Sequence, residues 1–263
     1  MRYVRLTALL LGMVVCAGCF QMTTVLKIRA DGSGTIEHRM LFTAQALAQL
    51  RQLAAFGGGG QPFDPLSERQ AREMAAVIGP GVAYVSSTPV TTPLGQGRES
   101  TYAFTDVGQL KIATQPAAPG GVTVRAQGLS TEGETITFSL TREPNGNAVL
   151  HINVPEPNWF DALGSGKASN QMSTIKAMLA GAHILLAVEP EGAVARTSSP
   201  YADGQRVTLL EVDLDQVLKD ETLLARLQAA TTPQELKAIV KDAAGLKINF
   251  DREITIEFTP GAK

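Results

Sequence analysis

The closing stretch of the chain alternates more regularly than any other. Ile248, Phe250, Ile254, Ile256 and Phe258 fall on one side, Asn249, Asp251, Glu253, Thr255 and Glu257 on the other, and only Arg252 interrupts the apolar series. A period of two is the signature of a β-strand with one buried and one wet face. The same pattern runs through Thr135 to Arg142, where Ile136, Phe138 and Leu140 alternate with Thr135, Thr137 and Ser139. Strands that are wet on one side belong to antiparallel sheets, whereas buried parallel strands read as continuous apolar runs. Amphipathic helical segments supply a covering layer. The expected fold class is therefore α+β, an antiparallel sheet with helices packed on one face.

Taken in order, Thr24 to Arg29 and Thr35 to Phe42 flank Asp31-Gly32-Ser33-Gly34 and predict a hairpin. Leu47, Leu50 and Leu53 recur at helical spacing until Gly57 to Gly60, which read as a flexible connector because no Lys-Ser or Lys-Thr follows to make a phosphate loop. Ser67, with Gln70 three residues on, opens a second helix carrying Ala71, Met74 and Ile78 on one face. Strands are expected at Gly81 to Ser86, Glu99 to Phe104, Val122 to Ala126, Thr135 to Arg142 and Ala148 to Val154, the last two joined by Pro144-Asn145-Gly146. Asn170 caps a helix with Met172, Ile175 and Leu179 on one side. Ala182 to Val188, Gly192 to Thr197 and Val207 to Val212 read as a three-strand meander. Helices follow near Asp220 to Gln228 and from Thr232, where Thr232-Pro233-Gln234-Glu235 is a capping box with Pro at the first helical position.

The other end of the chain bears on location. Arg2 and Arg5 make a positive n-region, Leu6 to Val15 an apolar core, and Ala17-Gly18 a small-residue cleavage site before Cys19. That run is short of the roughly 20 residues a membrane-crossing helix needs. Cys16-Ala17-Gly18-Cys19 resembles a bacterial lipobox, with Cys16 where such boxes usually carry Leu. The resemblance implies that Cys19 is acylated and that residues 1–18 are a lipoprotein signal peptide. Residues 19–263 would then form a single α+β domain with a strand-rich insert near 114–160. Because Phe20, not Asp, follows the cysteine, the same resemblance places the protein in the cell envelope, anchored to the outer membrane and facing the periplasm.

Both cysteines lie at or before position 19, so the folded body carries no thiol, which removes thiolate catalysis and iron–sulfur clusters. Once Arg2 and Arg5 are lost, 21 basic residues face 25 acidic ones, and no polybasic patch exists to hold nucleic acid. No cofactor motif is present.

DGSGTIEHRML, TYAFTDVGQLKI and VTLLEVDLDQVL are similar to recurring segments of an uncharacterised bacterial lipoprotein family, more distantly reminiscent of the LppM-type domain. The resemblance runs from about Thr23 to Phe258 and implies an α+β fold that binds hydrophobic molecules. None of these segments is a catalytic signature.

Candidate chemistry is sparse. Gly164-Ser165-Gly166-Lys167 lacks a P-loop's first glycine, at Asp161, and its Ser or Thr, at Ala168. Ser173 and Lys176 have the Ser-x-x-Lys spacing of penicillin-recognising acyl enzymes, in which one helical turn sets the amine beside the hydroxyl, but no Lys-Thr-Gly strand follows. His38, His151 and His183 fall in separate strands without the short spacings of zinc sites, and polar strand faces account for them. Trp159 and Phe160, in a Pro-rich irregular segment, are either a plug for one end of the core or an anchor for a partner. The favoured reading is a non-catalytic, lipid-anchored envelope protein, held at the membrane through Cys19, that binds an apolar ligand or a partner protein. An acyl-transfer enzyme using Ser173 and Lys176, and a purely structural scaffold, are the alternatives.

Overall fold

The first strand sets the layout. In the computed structural model, which describes residues 20–48, 51, 64, 66–113, 135–155, 181–230 and 232–261, β1 (Phe20–Ile28) begins at Phe20. It pairs antiparallel with β2 (Gly34–Phe42) from Phe20↔Phe42 to Ile28↔Gly34. The turn between them is built by Asp31, whose Oδ1 accepts from the Ser33 backbone N–H at 2.9 Å and from its hydroxyl at 2.7 Å. Gly34 has to be glycine: a Cβ there would lie 2.0 Å from the Lys27 carbonyl oxygen.

Residues 44–48 are helical, and helix α1 (Glu68–Ile78) follows, with the Ser67 hydroxyl accepting from the Gln70 N–H. β3 (Ala83–Thr92) and β4 (Gly95–Phe104) then form a hairpin longer than expected, because the Pro/Thr/Gly stretch is paired. Pro89 is tolerated there because β3 is an edge strand, and the break in register at Val85 twists the same edge. Further on come β5 (Lys111–Ala113), β6 (Thr135–Arg142), β7 (Ala148–Asn153), β8 (His183–Pro190), β9 (Val194–Thr197), β10 (Ala202–Asp203) and β11 (Arg206–Asp213). Helices α2 (Leu214–Lys219), α3 (Glu221–Ala229) and α4 (Pro233–Lys241) precede β12 (Leu246–Ile248) and β13 (Glu253–Phe258). The Thr232 capping box forms as expected.

These strands make two sheets. The larger runs β10-β11-β8-β1-β2-β4-β3, with β12 also on β11, and the smaller runs β5-β6-β7-β13-β9. β1 and β8 are parallel, so the larger sheet is mixed. Leu26, Ile28, Ile36, Tyr102, Phe104 and Val188 from the first sheet share one core with Ile136, Phe138, Leu150, Ile152, Ile254, Ile256 and Phe258 from the second. Each such side chain contributes about 1.5–3 kcal/mol on burial.

The expected α+β class, an antiparallel sheet with helices on one face, is therefore wrong. The fold is mostly β, and the layer opposite the larger sheet is largely a second sheet. Strand alternation reports that one face is covered, and it is silent on whether a helix or another sheet covers it. The helices α2 to α4 instead enclose a separate cluster of Val217, Leu223, Leu236, Ile239, Val240 and Leu246 beside β12.

Two further expectations change with it. The meander does not form, since β9 leaves its neighbours to pair with β13 in the other sheet, through Gly192, whose Cβ would sit 1.8 Å from the Thr259 carbonyl oxygen. The closing strand is two strands in two sheets, β12 on β11 and β13 between β7 and β9. Asn249, in the crossover, is buried at 4% exposure instead of wet, because its amide serves as a hydrogen-bonding hub.

Candidate functional site

The inner face of the larger sheet is only partly covered by the second sheet. Toward β3, α1 takes over as the cover, and a cleft opens between them, lined by His38 and Met40 from β2, Arg98, Ser100 and Tyr102 from β4, and Gln70, Ala71 and Met74 from α1. Its volume is about 30 Å³.

Helix α1 is tied down by several polar bonds. The buried Tyr102 hydroxyl donates to the Ala71 carbonyl at 2.9 Å, and the Tyr84 hydroxyl donates to Glu68 at 3.0 Å. Glu68 also accepts from Arg72 at 2.6 Å, which holds its carboxyl below the usual range, and the Arg72 guanidinium lies 4.5 Å from the Tyr84 ring centre. Tyr84 meets Tyr102 edge to face, with ring centres 6.2 Å apart.

Within the cleft, Arg98 is fixed by all three guanidinium nitrogens: Nε to the Ser87 hydroxyl at 2.7 Å, and the terminal pair to the carbonyls of Leu66 and Ser87 at 2.9 and 3.0 Å. His38 shares a 2.9 Å hydrogen bond between Nδ1 and the Thr24 hydroxyl, its partner across β1. Part of the residue reaches solvent, but Nε2 does not, and that nitrogen has no hydrogen-bond partner among the described residues. Burial alone pushes the imidazole down to about 4, so it is neutral near pH 7. A catalytic histidine needs an acid or carbonyl to orient it and a nucleophile to serve. His38 has a threonine on one side and an unused lone pair or N–H on the other.

The sequence placed His38 on a polar strand face. It lies instead on the inner face beside Ile36 and Met40, where its spacing from Ile36 already put it; polarity misdirected the reading. The three histidines are not brought together. His38 pairs with Thr24 and His183 with Gln21, an odd number of residues apart on β1, so they occupy opposite faces, while His151 is in the other sheet. No group of three or more His, Cys, Asp or Glu able to hold a metal exists among the described residues.

Cys19, Trp159, Phe160, Ser173 and Lys176 lie outside the described residues. No family model matches the chain, and a search of curated proteins finds no match. The chain is similar to the NMR structure of the folded domain of the Mycobacterium tuberculosis LppM protein, with 9% identity, a TM-score of 0.33, and 92% of this chain and 91% of that one covered.

A second constellation follows the order nucleophile, base, acid on the outer face of the smaller sheet. Thr141 Oγ1 stands 3.5 Å from His151 Nε2, and His151 Nδ1 is 2.7 Å from Glu253. Here the side chains lie across a flat, water-exposed sheet whose backbone N–H groups toward β6 and β13 are committed to the ladder, leaving no donors for an oxyanion. Together with Arg196 and Glu257 at 3.1 Å it forms a surface ladder of paired charges.

Proposed function

We propose that this chain is a non-catalytic, lipid-anchored protein of the bacterial cell envelope that binds a partner protein or an apolar ligand close to the membrane surface. The observation that carries the reading is the junction at Cys19: a charged and apolar leader ending in Cys16-Ala17-Gly18-Cys19 is followed at once by β1 from Phe20, with no linker between. β1 is an inner strand of the larger sheet, between β8 and β2. Acylation of Cys19 would therefore hold the folded body within a few residues of the headgroups, and several acyl chains give stable anchoring at about 0.8 kcal/mol per buried CH₂. By the rule on the residue after the cysteine, Phe20 favours the outer membrane, with the body in the periplasm.

Among the described residues the cleft under α1 has room for about one or two waters and not for an acyl chain. The test is metabolic labelling with a clickable fatty acid: the wild-type chain takes label and stays with membranes in a carbonate wash, and Cys19→Ala loses both. Membrane retention of an unlabelled wild-type chain would overturn the anchor. Mass spectrometry of lipids that co-purify then separates the two kinds of target.

A further inference from the structure

His38 Nε2 is a buried polar atom with no partner, and such atoms in folded proteins call for a ligand, a water or an ion. The side chains around it have a particular chemistry. Met40 is two residues along the same strand and on the same face, Met74 faces it from α1 across the cleft, and Met22 stands opposite Met40 in the β1–β2 register. The chain has seven methionines, of which Met1 and Met13 belong to the leader. Two of the remaining five thus line the cleft with the imidazole, and a third stands across from Met40.

We propose that His38 Nε2 and the thioether sulfurs of Met40 and Met74 form a binding site for Cu(I). The argument is one of size, softness and charge. A cleft of about 30 Å³, room for about one or two waters, takes a single ion and not an organic ligand. No carboxylate lines it, which disfavours calcium and magnesium, whereas thioether with imidazole is the ligand set of a soft ion. Arg98 adds a positive charge to the wall, which penalises a divalent ion twice as much as a monovalent one. An anion such as chloride is the converse choice, but each Arg98 nitrogen already donates to protein oxygen and the sulfurs present lone pairs. Thr24 completes the site as a positioning residue: when its hydroxyl accepts from Nδ1–H, the Nε2 lone pair is free for the metal.

The test uses the full chain in detergent, titrated anaerobically with Cu(I) against the chromogenic chelator bicinchoninate. The expected result is one ion retained per chain, with His38→Gln, Met40→Leu and Met74→Leu each weakening retention at least about tenfold and Thr24→Val about 10- to 100-fold. A measurement on the wild-type chain guards against misfolding of the variants: Ag(I), a redox-inert substitute, should shift the Met40 and Met74 methyl resonances. No retention against the chelator, retention as tight as wild type in all three ligand variants, or unshifted methyl resonances would overturn the site. None of these outcomes touches the Cys19 anchor, which is read from fatty-acid label and membrane retention.

Discussion

The side-chain amide of Asn249 donates to the carbonyl oxygen of Thr208 at 2.8 Å, across the point where the chain leaves one sheet for the other. The same amide reaches the Leu209 carbonyl at 3.1 Å, and its oxygen accepts from the buried Ser199 hydroxyl at 3.0 Å. β11 breaks register between Thr208 and Leu210, and the Leu209 carbonyl also accepts from the Asn249 backbone N–H at 3.3 Å, so the one residue holds both carbonyls of the bulge. Asn249 is therefore the clasp between β11 and the crossover to β13.

Replacing the clasp should be costly. Asn249→Leu keeps the volume but takes the amide donor from the buried Thr208 carbonyl and the acceptor from the buried Ser199 hydroxyl, a loss of about 2 to 5 kcal/mol, while Ser199→Ala removes one hydroxyl and should cost about 1 kcal/mol. Urea denaturation of the two variants measures the difference; equal, small losses would mean that water reaches the bulge.

The shared core makes a second prediction at β13. Ile256 is fully buried, and Ile256→Ala should cost about 2 to 5 kcal/mol, whereas Thr255, half-buried on the outer face, should cost far less as Thr255→Ala. Because Ile256 belongs to the cluster that includes Leu26 and Ile36, the loss should appear as a downward shift of one cooperative melting transition. A fixed second transition would mean that the two sheets unfold separately.

Much of this was legible wherever the signal was local. The turn at Asp31 to Gly34, the cap at Ser67, the box at Thr232 and the alternation of Thr135 to Arg142 each depend on neighbours within a few residues, and each is formed. Partner choice is not local. Nothing in the spacing of Ile248 and Ile254 says that they lie in different sheets, and nothing in Val194 to Thr197 says that it abandons β8 for β13. The cleft was hidden for a related reason. His38 and Met40 meet Met74 only once α1 lies over β2 and β4, and a lone histidine between Ile36 and Met40 carries no motif.

Gly192 offers a steric test of that strand exchange. A methyl group there would meet backbone, not a movable side chain, 1.8 Å from the Thr259 carbonyl oxygen. Gly192→Ala should force β9 away from β13 and speed hydrogen exchange at the Thr259 and Ser198 amides, which bond to Ala193 and Thr255. Unchanged protection at both amides would place the crossover elsewhere.

The buried imidazole gives the fold a pH dependence. With His38 near 4 in the folded state and 6.5 in the unfolded chain, the unfolded state binds the extra proton between those values, so its contribution is complete above about pH 6.5 and is lost as pH falls toward 4. The displacement corresponds to at most about 3 kcal/mol. Stability curves at pH 7.5 and 5 should converge in His38→Gln relative to wild type; an equal pH slope in both would show the imidazole to be solvated.

The anchor is tested most directly by the mass of the mature N-terminal peptide from membrane-extracted protein. The account predicts a peptide beginning at Cys19 and carrying a thioether-linked diacylglyceryl group, with a further acyl chain on its amine. An unmodified peptide, or one beginning anywhere else, would contradict it.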